Sequence, residues 1–179
     1  MSSGRTHDFC TVLLAPASAG IGFYLATKLG ADVVSAAVSG AAGCLMALFV
    51  NSDLDQRSIT NAETNWSKAG PLGWLVSYLW VWLWTPYAYL IPNHRSMWSH
   101  LPVLSTFLRI AYAAPILLVF SWLGALVFKV NLFDYPKIVW PAMAFSFLGL
   151  CIADTGHAVL DVLASVRTWW RLTWYRLLH

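Results

Sequence analysis

Four of the five histidines and five of the eight acidic residues of this 179-residue chain lie in four short clusters, and imidazole and carboxylate groups are metal ligands. The clusters are His7-Asp8, Asp53-Leu54-Asp55, HRSMWSH at 94–100 and DTGHAVLD at 154–161. Together these groups favour zinc, manganese or iron over calcium, which prefers oxygen alone, and over copper(I), which prefers sulfur. The sequence therefore predicts a site for one or two divalent ions, with zinc as the first candidate and manganese or iron as the others.

The fourth cluster has a defined geometry on a helix. Asp154, His157 and Asp161 follow the spacing i, i+3 and i+7, which places their side chains on one helix face. Their surroundings are apolar, and turning an ionisable group towards lipid costs at least roughly 2–3 kcal/mol. This stripe is therefore predicted to face other protein, water or a metal.

The second and third clusters are predicted to reach the site from loops. Asp53 and Asp55 would point the same way in an extended segment, which suits a loop that wraps a cation. His94 and His100 lie six positions apart, about 240° around a helix, so one helix would not direct both to a common point. At least one of them is expected in the loop before Pro102, a residue well placed to open the next helix.

There are more candidate ligands than one metal ion binds. The remaining residues are therefore predicted to orient the ligands or to act as a general acid or base. The predicted metal ligands are Asp53, Asp55, His94, His100 and His157 first, then His7 and Asp161. The predicted catalytic residues are Asp8, Asp154 and Arg95. Arg95 is the first candidate to stabilise charge on a phosphoryl or acyl oxygen, and Arg109, within reach of an anionic headgroup, is the second.

The composition is that of an integral membrane protein, because 59% of residues are hydrophobic, 11% are charged and the mean hydropathy is +0.61. Four apolar stretches are predicted to cross the membrane, namely 9–27, 33–50, 101–128 and 138–152 with its continuation. A fifth stretch, 74–91, is rich in Trp and Tyr and contains Pro86, so it is predicted to form an interfacial or re-entrant helical hairpin. The fold class is thus all-α, about four transmembrane helices with this hairpin and a C-terminal amphipathic helix.

The hairpin prediction rests on counting crossings, because all four clusters share one side only if 74–91 does not cross. Five crossings, which hydropathy alone would favour, would split the histidines across the bilayer. On the four-crossing topology the site side holds Arg5, Arg57, Lys68, Arg95, Arg167, Arg171 and Arg176, against Lys28, Lys129 and Lys137 opposite. The positive-inside rule then makes the site side cytoplasmic, in a multi-pass protein of the bacterial inner membrane.

We predict a single membrane domain over 1–179, with a helical bundle at 1–162 and a basic amphipathic tail at 163–179. The tail sets Arg167, Arg171 and Arg176 among Trp and Tyr, which suits an anionic lipid leaflet. Nucleic acid is not expected as a partner, because the net charge is +3 and the basic residues form no run that could track phosphates. The pattern leaves an oligomer open.

Four motifs in order, SGRTHD, DLD, HRSMWSH and a late His and Asp on an apolar helix, resemble a known family. It comprises small bacterial membrane proteins described as metal-binding or metal-dependent hydrolases, related to the LexA-regulated inner-membrane hydrolase-like proteins. The resemblance implies a cytoplasm-proximal metal site and, by analogy with zinc-dependent phospholipases, a phosphoester substrate. The positions matching its motifs are His7, Asp53, Asp55, His94, His100, His157 and Asp161, whereas NSDLD lacks the more usual Pro before the first Asp.

The favoured function is hydrolysis of a phosphoester or an acyl ester in a lipid-like substrate, because the site would lie at headgroup depth. An ion or metal transporter would instead continue its polar residues towards the other side of the membrane. A structural or adaptor protein would use the metal only to fasten its helices together.

Overall fold

The computed structural model describes residues 4–50, 54, 64, 66–68, 70–91, 101–129 and 134–178, with the side chains of the last helix described as far as Trp170. Within these residues the chain forms five α-helices and no β-strand. They are α1 (Gly4–Leu29), α2 (Val33–Met46), α3 (Pro71–Leu90), α4 (Pro102–Phe128) and α5 (Pro136–Leu178). The predicted all-helical class is confirmed.

Local sequence signals explain where the helices begin and end. Proline opens α3, α4 and α5, where its fixed φ suits the first turn and its missing N–H costs no hydrogen bond. Asp32 caps α2, because its carboxylate accepts a 2.8 Å hydrogen bond from the backbone N–H of Ser35. Gly30 follows α1 with φ +68°, the left-handed conformation that commonly ends a helix.

In the part of the chain that the structure describes, three helical segments are long and apolar enough to cross a membrane: Arg5–Leu29, Pro102–Phe128 and Pro136–Trp170. The predicted crossing at 33–50 is represented by α2, whose 14 residues span about 21 Å and are followed by a turn. That length is short of the roughly 30 Å of a hydrocarbon core.

Two predicted boundaries differ from the structure. The hairpin expected at 74–91 is wrong, because α3 runs through Pro86 as one 20-residue helix. The Thr85 hydroxyl, next to Pro86, donates a 2.6 Å hydrogen bond to the Val81 carbonyl one turn earlier. The predicted tail is helical but continuous with the last membrane helix, since α5 is a single helix of 43 residues.

α1, α2 and α5 form the close-packed part of the bundle, and small residues allow their backbones to touch. A β-carbon at Gly43 would overlap the backbone of Ser146, and one at Gly149 would overlap the backbone of Gly40. Across the contact between α1 and α2, the Ser18 hydroxyl donates a 2.8 Å hydrogen bond to the carbonyl of Gly40. Small residues and interhelical hydrogen bonds of this kind are typical of helix packing in membranes.

The packing brings the beginning of α1, the end of α2 and the middle of α5 to one end of the bundle, here called the site end. Ala15 of α1, Cys44 of α2 and Leu150 of α5 share one buried cluster just inside it. The first turns of α4 join this end through Arg109, which donates a 2.8 Å hydrogen bond to the Val50 carbonyl beyond α2. α3 contacts α4 where the Tyr112 hydroxyl donates to the Leu83 carbonyl at 2.6 Å.

Candidate metal centre

Two helices supply the donor atoms of a candidate metal centre at the site end. His7 comes from the first turns of α1, and His157 and Asp161 come from successive turns of α5. One donor atom from each of these residues lies within 4.8 Å of the other two. The group is shielded from solvent, with His7 at 7% and His157 at 6% relative exposure.

The Asp161 carboxylate lies close to both imidazoles. Its Oδ1 lies 3.5 Å from His7 Nε2, and its Oδ2 lies 3.6 Å from His157 Nε2. The two imidazole rings stack with their centroids 3.7 Å apart and their planes 18° from parallel.

The distances and the donor set fit a transition metal. Ligand bonds of about 2.0–2.1 Å around a tetrahedral zinc ion place neighbouring ligand atoms about 3.3 Å apart. The two imidazole nitrogens lie 3.5 and 3.6 Å from different oxygens of Asp161, so a single ion would bind here after a small movement of the side chains. A charge-assisted hydrogen bond would be shorter, about 2.7–2.9 Å. Two histidines and one carboxylate also form the ligand set of catalytic zinc sites and of non-haem iron sites, which keep coordination positions open.

Asp154, one turn before His157, belongs to a buried ion pair. Its Oδ2 accepts hydrogen bonds from the Arg109 guanidinium and from the Thr106 hydroxyl, both on α4. Arg109 is 1% exposed and Asp154 3% exposed. The pair therefore joins α4 to α5 beside the metal centre, without access to solvent.

A small cavity separates this ion pair from the histidines. Its volume is about 10 Å³ and its walls are His7, Asp8, Thr11, Ala47, Ala153, Asp154 and His157. That is close to the least volume that holds one water molecule. Within the described part of the chain, Asp154 Oδ1 is buried here without a hydrogen-bond partner.

The structure places part of the predicted set of site residues. The donor cluster contains His7, His157 and Asp161, and the cavity beside it is lined by Asp8 and Asp154. The other predicted site residues lie outside the described residues and are Asp53, Asp55, His94, Arg95 and His100. Asp154, His157 and Asp161 share the inward face of α5, as their spacing predicts.

One expectation is wrong and one connection was missed. Arg109 does not reach a lipid headgroup, because its side chain is buried and bonded to Asp154. The pairing of Arg109 with Asp154 was not predicted. The signal was available, since an arginine and an aspartate inside apolar helices each need a partner of opposite charge. Thr106 and Thr11 carry no comparable signal.

Comparison with known proteins agrees with a metal centre. A model of the family DUF2227, described as an uncharacterized metal-binding protein, matches residues 2–171. No curated protein and no solved structure matches the chain. Because the match covers most of the sequence, the chain belongs to this metal-binding family.

Proposed function

We propose that this member of a metal-binding family holds a divalent transition metal, zinc first, and hydrolyses a phosphoester or an ester of a lipid-like substrate. The observation that carries the proposal is the donor set of His7, His157 and Asp161, two imidazoles and a carboxylate within 4.8 Å. These are the donors among the described residues, and a site with three protein ligands leaves a coordination position open, as in catalytic zinc sites. A metal bound there would activate water at neutral pH and polarise the bond to be cleaved.

Helix lengths support a substrate at headgroup depth. From His7 to the end of α1, and from the start of α5 to His157, the chain rises about 30 Å, the thickness of a hydrocarbon core. Lys28 and Lys137 lie at the far ends of these two segments. In a membrane spanned by both helices, the metal centre would lie at one boundary and these lysines at the other.

The side of the membrane follows from the charges in this proposal. Arg5 and Arg167 flank the site end, whereas Lys28, Lys129 and Lys137 flank the opposite end. Together with the arginines near the C-terminus of α5, the positive-inside rule directs the site to the cytoplasm of a bacterial inner membrane. The substrate would then come from the inner leaflet.

A second candidate is a metal that only fastens helices together. Two observations favour it: the ligands come from both α1 and α5, and the adjoining cavity of about 10 Å³ holds no more than one water molecule. In that case metal would raise stability without supporting catalysis.

Both candidate functions require a bound metal ion, and metal analysis of the purified full-length protein tests this requirement. Wild type and Asp134→Asn, a matched change at an exposed carboxylate far from the centre, should each carry about one equivalent of zinc, manganese or iron. His157→Ala and Asp161→Asn should lose it. Wild type that is metal-free after purification without chelators would contradict the proposal.

A hydrolysis assay distinguishes a catalytic metal from a structural one. Metal-loaded protein in lipid micelles should cleave bis(4-nitrophenyl) phosphate or a 4-nitrophenyl acyl ester, and His157→Ala should not. The alternative result is a protein that binds one equivalent of metal and gains thermal stability from it, yet cleaves neither probe nor any phospholipid. That result would support the structural role of the metal and contradict hydrolysis.

A further inference from the structure

We propose that Asp154 holds one water molecule in the cavity beside the metal centre and accepts a proton from it when it attacks the substrate. The water site does not depend on the proposed function, whereas the proton transfer rests on the proposed hydrolysis. Asp154 would then be a catalytic residue, and Arg109 and Thr106 would be positioning residues that act through it.

The cavity has the size and the polar walls that a single water needs. A water molecule in a protein interior makes about three hydrogen bonds to groups that would otherwise lack a partner. Asp154 Oδ1, buried and without a hydrogen bond in the described part of the chain, supplies one acceptor. Asp8 and Thr11 add polar side chains to the same wall.

The bonds on the other carboxylate oxygen fix how such a water is oriented. Arg109 and Thr106 both donate to Asp154 Oδ2, so the ion-paired carboxylate has no proton to give and Oδ1 can only accept. A water bound there must direct an O–H towards Oδ1. Its lone pairs then point away from Asp154, towards the side of the cavity formed by His7 and His157.

The hydrolytic step then balances with groups on this chain. The water oxygen forms a bond to phosphorus or to the acyl carbon, and its proton passes to Asp154 Oδ1. The bond to the leaving oxygen breaks, and the proton moves from Oδ1 to that oxygen, which restores the carboxylate. Nothing is oxidised or reduced, and the products are an alcohol and a phosphate or a carboxylic acid.

Cobalt-loaded protein titrated with azide tests the water site without a substrate. In wild type the azide anion must displace the water and face the Asp154 carboxylate. Asp154→Asn keeps the size of the side chain and replaces an acceptor oxygen with an N–H donor or with a neutral carbonyl. We expect azide to bind about tenfold more tightly or better to this variant, the factor for one hydrogen bond to a charged group.

The controls separate this role from a structural one. Asp134→Asn should bind azide like wild type, and the cobalt content of Asp154→Asn should equal that of wild type. Equal azide affinity in Asp154→Asn and wild type would overturn the water site. If Asp154→Asn does not fold, the double variant Arg109→Met/Asp154→Leu removes the carboxylate and its buried partner together, and it should bind azide more tightly as well.

Two further readouts cover the remaining outcomes. A high-resolution structure of the wild-type protein should show a solvent molecule within hydrogen-bond distance of Asp154 Oδ1, and a dry cavity would overturn the proposal. With a cleavable probe, Asp154→Asn should lower kcat by about 10²–10⁴ at full metal content. Unchanged kcat would refute the proton transfer, whereas no hydrolysis by wild type would refute the proposed function and leave the azide result to decide the water site.

Discussion

Replacing Arg109 with methionine is the sharpest test of how the bundle is held together. Arg109 is the largest fully buried side chain among the described residues, and its guanidinium bonds to Asp154. It also donates to the carbonyls of Val50 at 2.8 Å and Ser105 at 3.2 Å. Methionine would fill much of the space and leave the Asp154 carboxylate buried without a counter-charge.

The magnitude follows from that uncompensated charge. Breaking a buried ion pair by removing one partner typically costs about 3–5 kcal/mol of unfolding free energy, and the side chains here are 1% and 2% exposed. Replacing both partners with apolar residues of similar volume is often neutral or stabilising. Arg109→Met/Asp154→Leu should therefore recover most of the stability that Arg109→Met loses.

Unfolding of the full-length protein in mixed detergent micelles measures these differences, with Arg167→Met as the control. Arg167 is exposed on α5, and its removal should change the free energy by about 0.5 kcal/mol or less. A double variant as unstable as Arg109→Met would refute the reasoning. The same conclusion would follow if Arg109→Met were as stable as the control.

Two further predictions concern the metal and the helix packing. A chelator should lower the thermal midpoint of metal-loaded wild type by about 5–10 °C, the effect of removing a ligand present at roughly 100 times its Kd, and should leave that of His157→Ala unchanged. Equal shifts in both proteins would contradict a site that involves His157. Gly149→Ala should lower the unfolding free energy by about 1–3 kcal/mol, because its β-carbon would overlap the backbone of Gly40, whereas Gly124→Ala, with open space around it, should have no such cost. A stable Gly149→Ala would show that α2 and α5 can separate freely.

Helical periodicity and apolar length were the parts of the fold that the sequence could predict. The spacing of Asp154, His157 and Asp161 placed them on one face of a helix because α-helix geometry depends only on position along the chain. The extent of α3 was harder, since aromatic residues and Pro86 are compatible with a hairpin and with a continuous helix. Which of these forms is decided by local hydrogen bonds and by packing against α4, and neither is visible in hydropathy.

The partners across helices could not be predicted in the same way. His7 was ranked behind the histidines at 94 and 100, because a residue near a terminus carries little information about its neighbours. Its place in the donor cluster depends on how α1 and α5 are aligned along their length. That alignment is set by contacts between residues more than a hundred positions apart, such as Gly43 with Ser146.

The glycine contacts and the metal centre are therefore parts of one arrangement. Gly43 against Ser146 and Gly149 against Gly40 fix α5 along α2, and the hydrogen bond from Ser18 to Gly40 fixes α1 along α2. A slip of one residue would move α5 by about 1.5 Å along its axis and turn it by about 100°. Such a turn would carry His157 and Asp161 away from His7 and expose the Asp154 carboxylate to a different surface. The close contacts thus permit one register only, and in that register two helices present two imidazoles and a carboxylate to a common point.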